Sequence, residues 1–298
     1  MDNIDFHIVT YFAPNNPPKV RPSTFRTLTT MTAAAFPRLP ALFVPHGAPT
    51  FALNPGAAGA ALARQADQLP QPRAILIVSP HWITDIPTVG TADRLDTIHD
   101  FWGFPEALYA LRYPATGCRE AADAVHDALQ AAGLPVTRDG ERGLDHGAWV
   151  PLRLMYPDAD IPVVPLSLPA QHGPEFAYRM GQALAPLAEQ GFLIIGSGSL
   201  THNLRDFQSA WQNGGQTPAY VRAFADWLAE RADDNDVSAL LDYRRQAPDA
   251  VRAHPSEEHL LPFFIALGAA GSTARAERFH RGIDDYVIAM DAYAFLPR

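Results

Sequence analysis

Cysteine is almost missing from this chain: Cys118 is the single one in 298 residues. No disulfide can form within the chain, and a zinc site built on several cysteines is excluded. A chain of this size without such staples suits a reducing cytoplasm, which is the expected location. Positive charge is also short. Acidic residues number 32 against 23 Lys and Arg, a formal net charge of -9. No basic run supplies the face that counterion release from a polyanion requires, so nucleic acid is not an expected partner. No apolar run approaches the ~20 residues of a membrane span. Asp2 and Asp5 stand where a secretory signal carries positive charge, with no apolar stretch behind them, so neither signal nor membrane partner is expected. No G-x-G-x-x-G follows an apolar run and no Walker A lysine occurs, which leaves nucleotide-phosphate binding without support.

Histidine and proline are plentiful, 11 and 28 residues. The prolines are spread along the chain and point to many short elements joined by rigid turns. Histidine is the commonest metal ligand and the natural acid/base near pH 7, so its placement carries the functional argument.

Residues 1–36 are Pro- and Ser/Thr-rich without periodicity and are expected to be a flexible N-terminal extension. From residue 37 to 298 a single domain is expected. Apolar runs alternate there with helical patterns, as at Ala74–Ser79 and then Glu120–Leu134. That alternation predicts an α/β fold with a largely parallel central sheet flanked by helices on both faces. Pro162 and Pro165 predict an edge position for the run Ile161–Leu168. Ser256, Glu257 and Glu258 read as the start of a helix reaching Ala270. Tyr286–Met290 reads as a last strand, and Gly196–Ser199 as a tight turn.

Three apolar runs each deliver a histidine at their ends: Ala41–Val44 before His46, Ala74–Ser79 before His81, and Phe192–Ile195 before His202. In a parallel sheet the C-terminal strand ends share one edge, within reach of one ion. His259, near the start of the last long helical pattern, is a further candidate ligand, with Glu258 as its rival. Asp145-His146-Gly147-Ala148-Trp149 places a histidine between a carboxylate and a large aromatic, which suits an acid/base or substrate-orienting group; Asp145 starting the next helix is the competing reading. The loop His99-Asp100-Phe101-Trp102-Gly103-Phe104 is too apolar to be bare and covers either core or a flat ligand. His99, Phe101, Trp102 and Trp149 are the candidate substrate-binding residues.

Six segments together, around His46, His81, His99–Pro105, Leu144–Trp149, Thr201–Arg205 and Glu258-His259, resemble the 4,5-DOPA extradiol dioxygenase branch of the type III, LigB-like ring-opening dioxygenases. The resemblance runs in order over residues 39–290. It implies one divalent metal per chain, Fe(II) for activity and Zn(II) as isolated. His46, His81 and His259 would be ligands, and His202 either a fourth ligand or the acid/base beside the metal. His146 would contact substrate or move a proton. Partners would be a small aromatic diol and O2, in a monomer or small homo-oligomer. Where many ring-opening relatives carry a glutamate, this chain has His259. A zinc-dependent hydrolase and a non-catalytic metal-binding scaffold of the same fold are the competing readings.

Overall fold

The runs Ala74–Val78 and Phe192–Ile195 are buried at every residue, which a parallel strand covered on both faces demands. A computed structural model describes residues 36–212 and 214–297; the expected N-terminal extension therefore lies, apart from Phe36, outside the described residues. The strands are β1 (Ala41–Pro45), β2 (Ala74–Ile83), β3 (Thr88–Gly90), β4 (Thr137–Asp139), β5 (Val163–Leu168), β6 (Phe192–Gly198), β7 (Arg275–His280), β8 (Ile283–Asp284), β9 (Ile288–Ala289) and β10 (Ala292–Leu296). The α-helices are α1 (Gly56–Gln68), α2 (Glu106–Ala110), α3 (Arg119–Ala131), α4 (His146–Met155), α5 (Gly173–Leu184), α6 (Leu204–Gln212), α7 (Ala219–Asp233), α8 (Val237–Leu241), α9 (Tyr243–Gln246), α10 (Ala250–Ala253) and α11 (Leu261–Ala270).

Eight strands form one sheet in the order β4-β3-β5-β2-β6-β1-β10-β7. The central block β5-β2-β6-β1 is parallel throughout. Strands β10 and β7 add to it antiparallel. The α/β architecture expected from the alternating pattern is the one observed. Successive strand residues face opposite sides. A Cβ on Gly196 would lie 2.1 Å from the Pro262 carbonyl at the start of α11, whereas the next residue, Ser197, bonds the Gly147 carbonyl in α4. Helices α11 and α4 thus cover opposite faces of β6. All ten residues of α11 are buried. It crosses α5 at backbone contact, because a Cβ on Gly181 would stand 2.1 Å from the Ile265 carbonyl oxygen.

Four local expectations change. Strand β5 is internal, not an edge: β3 pairs beyond it at Val89–Leu166 only, and Gly90 leaves room for the Pro165 ring. The helix expected from Glu257 begins at Leu261, with Pro262 in its first turn, so His259 sits in the turn before it. Gly196–Gly198 belongs to β6 rather than to a turn. Residues 286–290 contribute β9 of a small hairpin, and the last strand of the main sheet is β10.

Candidate metal centre

Register brings the histidine-bearing strand ends together. Pro45 pairs with Gly198 and Val78 with Gly196, so β1, β6 and β2 exit side by side. His46 follows β1 directly, and Gly47 at φ 59° turns the chain there. His81 lies inside β2, which continues to Ile83. His259 arrives from the other direction: its carbonyl accepts from Ser199 N at 2.9 Å, over a strand surface cleared of side chains by Gly198.

The three imidazoles form a near-equilateral triangle. Ring centres are 5.1 Å apart for His46–His81, 5.4 Å for His46–His259 and 5.1 Å for His81–His259. Three rings bound tetrahedrally at ~2.1 Å to one ion would have centres about 5 Å apart. The Nε2 atoms of His46 and His81 face each other at 3.2 Å. Their outer nitrogens say what those inner atoms carry. Ser197 Oγ donates to the Gly147 carbonyl, so it accepts from His46 Nδ1–H at 3.0 Å, and His46 Nε2 is left bare. His81 Nδ1 faces Asp100 Oδ2 at 3.6 Å, which favours the proton there and a bare Nε2 as well. Two lone pairs at this separation repel unless a cation lies between them. The donor set therefore fits a divalent metal, with carboxylate and hydroxyl partners behind the ligands.

Electrostatics agree. Burial, reinforced by neighbouring imidazoles, pushes His46 and His259 well below the usual imidazole range. Burial likewise holds His81 at about 3 and His202 at about 4. All four rings are neutral at pH 7 and offer lone pairs. Burial acts to raise Asp100, but hydrogen bonds from His146 overcome it and hold the carboxyl at about 2.

His202 lies flat on His259, with ring centres 3.5 Å apart and planes within 6°. An imidazole binds an ion along the lone pair in its own ring plane, so two rings stacked in this way cannot both hold one ion well. That geometry favours His202 as the neighbouring acid/base over a fourth ligand. Glu258 Oε1 stands 3.3 Å from His259 Nδ1. His46, His81 and His146 have ligand atoms within 4.8 Å of one another, as do His202, Glu258 and His259. His146 packs 4.0 Å from His81 ring to ring, with its Nδ1 on Asp100 at 2.9 Å.

The aromatic candidates divide. Phe101 is buried with its ring 5.8 Å from His146. His99 bonds the Leu111 carbonyl at 3.1 Å and packs on Phe101. Trp149 is 0% exposed, and its Nε1 donates to the Ile98 carbonyl; it pins the loop that carries Asp100. Trp102 is 85% exposed on that loop. Sequence reasoning passed over Asp100 and Ser197 as functional groups. Asp100 offered one signal, an acid inside an aromatic loop; Ser197 offered none, since its partner His46 is 151 residues away.

Residues 52–295 match the family described as the catalytic LigB subunit of aromatic ring-opening dioxygenase. A 4,5-DOPA dioxygenase extradiol of Beta vulgaris is 41% identical over 257 residues, covering 85% of this chain and 95% of the relative. The protein of that name in Escherichia coli K12 is 37% identical, covering 78% and 85% respectively. The crystal structure of the uncharacterised protein JW3007 from Escherichia coli K12 superposes with a TM-score of 0.71 at 29% identity, over 87% of this chain and all of that one.

Proposed function

This chain belongs to the LigB family of aromatic ring-opening dioxygenases, and from that premise we propose that it opens a catechol ring with O2 at a metal held by His46, His81 and His259. It is a metal-dependent extradiol dioxygenase. The observation that carries the ligand assignment is the triangle of three neutral imidazoles in which the Nε2 atoms of His46 and His81 face each other at 3.2 Å. The substrate is a small aromatic diol of the DOPA type, the class in the names of its relatives. When bound, the divalent metal supplies a Lewis-acid seat for the two diol oxygens and, as Fe(II), a redox path to O2 that zinc lacks.

The remaining residues handle protons and shape. His146, with Nδ1 occupied by Asp100, presents Nε2 as an acceptor for a diol proton. His202, stacked on His259, is the second proton-handling group, and its neutral ring suits acceptance. Phe101 would present an aromatic edge or face to the substrate beside His146. Cleavage of the ring bond beside the diol then leaves both atoms of O2 in the product. Residues 37–298 make up the catalytic domain. Among the described residues no helix is long and apolar enough to cross a membrane, and we place the enzyme in the cytoplasm as a monomer or small homo-oligomer.

The test is anaerobic loading of metal-free protein with Fe(II), addition of a catechol panel, and admission of air. The expected result is stoichiometric O2 uptake and a yellow semialdehyde, with zinc-loaded protein binding the same catechols without turnover. No O2 uptake with any catechol would overturn the reading, and turnover of esters or amides without O2 would replace it with hydrolysis.

A further inference from the structure

We propose that Asp100 is a positioning residue shared by the metal-ligand set and the proton-transfer group: it holds His146 as the Nδ1–H tautomer, with Nε2 bare, and braces the outer nitrogen of His81. The inference rests on the reading of this centre as a metal-dependent ring-opening site.

Three distances carry it. Asp100 Oδ1 accepts from the His146 backbone N–H at 2.8 Å. Oδ2 faces His146 Nδ1 at 2.9 Å, and the same oxygen lies 3.6 Å from His81 Nδ1. An ionised carboxylate has only acceptors to offer. The His146 nitrogen bonded to it must therefore bear the hydrogen, and the lone pair is forced onto Nε2. No protein group among the described residues bonds that Nε2. The histidine is thus preset as a proton acceptor before substrate arrives. His81 is biased in the same sense, its outer nitrogen protonated and its inner Nε2 free for the ion.

The carboxylate is itself held in place. Ile98 N donates to the Leu144 carbonyl at 2.8 Å, and Trp149 Nε1 donates to the Ile98 carbonyl at 3.0 Å. These bonds tie the Asp100 loop to both ends of the first turn of α4. The helix leaves the task to Asp100 because its own N-cap residue, Asp145, makes no side-chain cap; that carboxylate takes Ser79 Oγ at 2.6 Å and Arg142 Nη2 at 2.9 Å. Asp100 thereby caps α4 from a different part of the chain. A bare Gly147 lets the helix approach the ligand: a Cβ there would stand 2.9 Å from His81 Cδ2.

Capping alone would be a structural role, and Asp100→Asn separates the two. Asparagine caps about as well as aspartate. Its carbonyl must face the backbone N–H of His146, since an amide nitrogen there would meet donor with donor. The NH2 group then points at His146 Nδ1, and the imidazole responds by moving its hydrogen to Nε2. The acceptor becomes a donor while the cap survives.

The experiment uses the full chain in wild-type, D100N, H146A and D100N/H146A forms. Three readouts are taken: kcat and KM of Fe(II)-loaded protein, zinc affinity by chelator competition, and the His146 tautomer from 15N-histidine NMR of zinc-loaded protein. For D100N we expect an unchanged Tm, kcat lower by about 100-fold or more, KM within about threefold, and His146 shifted toward Nε2–H. Zinc binding weakens about tenfold through His81. In the H146A background D100N should cost no further kcat, yet still weaken zinc. An unchanged tautomer in D100N, or an equal loss of kcat with and without His146, overturns the proposal. If wild type shows no ring opening but the tautomer and zinc responses occur, the positioning role stands and the ring-opening reading falls.

Discussion

His46 and His81 lie just beyond and on parallel strands of the central sheet, whereas His202 and His259 sit in loops that hold each other. The strand-borne pair is placed by register, with Pro45 beside Gly198 and Val78 beside Gly196. The loop-borne pair depends on bonds between segments. His202 N donates to the Ala253 carbonyl at 2.8 Å, His254 Nε2 to the Leu200 carbonyl at 2.7 Å, and Asn203 Nδ2 to the Arg252 carbonyl at 2.7 Å. One wall inherits its rigidity from the sheet; the other is rigid only while two loops stay stitched. In the function proposed above, ligand duty falls mainly to the first wall, while the second would divide it from proton handling, with His259 as ligand and His202 as proton acceptor.

The largest effects should separate those duties. His46→Ala should abolish bound metal, read by elemental analysis after dialysis, and all O2 uptake with it. His202→Ala should keep one metal per chain yet lower kcat by about 100-fold or more. Metal loss in His202→Ala would make the second wall a ligand wall like the first.

A smaller effect should come from the strand surface on which the loop wall rests. A Cβ at Gly198 would stand 2.2 Å from the His259 carbonyl oxygen. Gly198→Ala should therefore lower stability by about 1–3 kcal/mol and weaken zinc by lifting His259 from its place. Urea titration and chelator competition check the two parts.

The smallest effect concerns acid. Burial holds His254 at about 3, against an ordinary value near 6.5. Between those values the unfolded chain binds the proton and the folded one does not, so stability falls as pH drops from about 6.5 toward 4. His81 and His202, at about 3 and about 4, act in the same direction. Urea midpoints of metal-free protein across that range should decline, and in His254→Gln the slope should be shallower by roughly 1.4 kcal/mol per pH unit at most. An unchanged slope would mean that His254 carries its charge inside the fold.

Much of the strand wall was legible from one dimension. Continuous apolar runs ending in histidine are a local pattern, and burial on both faces explains why they become parallel strands. The loop wall was legible only as residue identities. His259 was recognisable, but its helix was started four residues early because Ser256 and the two glutamates mimic a cap, whereas Pro262 fits the first turn that actually forms. Pro162 and Pro165 suggested an edge because Gly90, which leaves room for the Pro165 ring inside the sheet, lies on a different strand. Asp100 and Ser197 act through partners 46 and 151 residues away, and no periodicity reports a bond of that span.

The segment before β10 has a consequence for biosynthesis. Thr201 Oγ1 donates to the Val287 carbonyl at 2.7 Å and accepts from Ala289 N at 2.9 Å, and Met290 Cε lies against Gly47 beside His46. A nascent polypeptide emerging from the ribosome has His46 and His81 early, but gains His259 late and the buttress under both walls later still. On the proposed ligand set, capture of the ion would wait until the segment through Met290 has been made, and a chain that has not yet reached it would hold its first histidines without a complete cage to close around them.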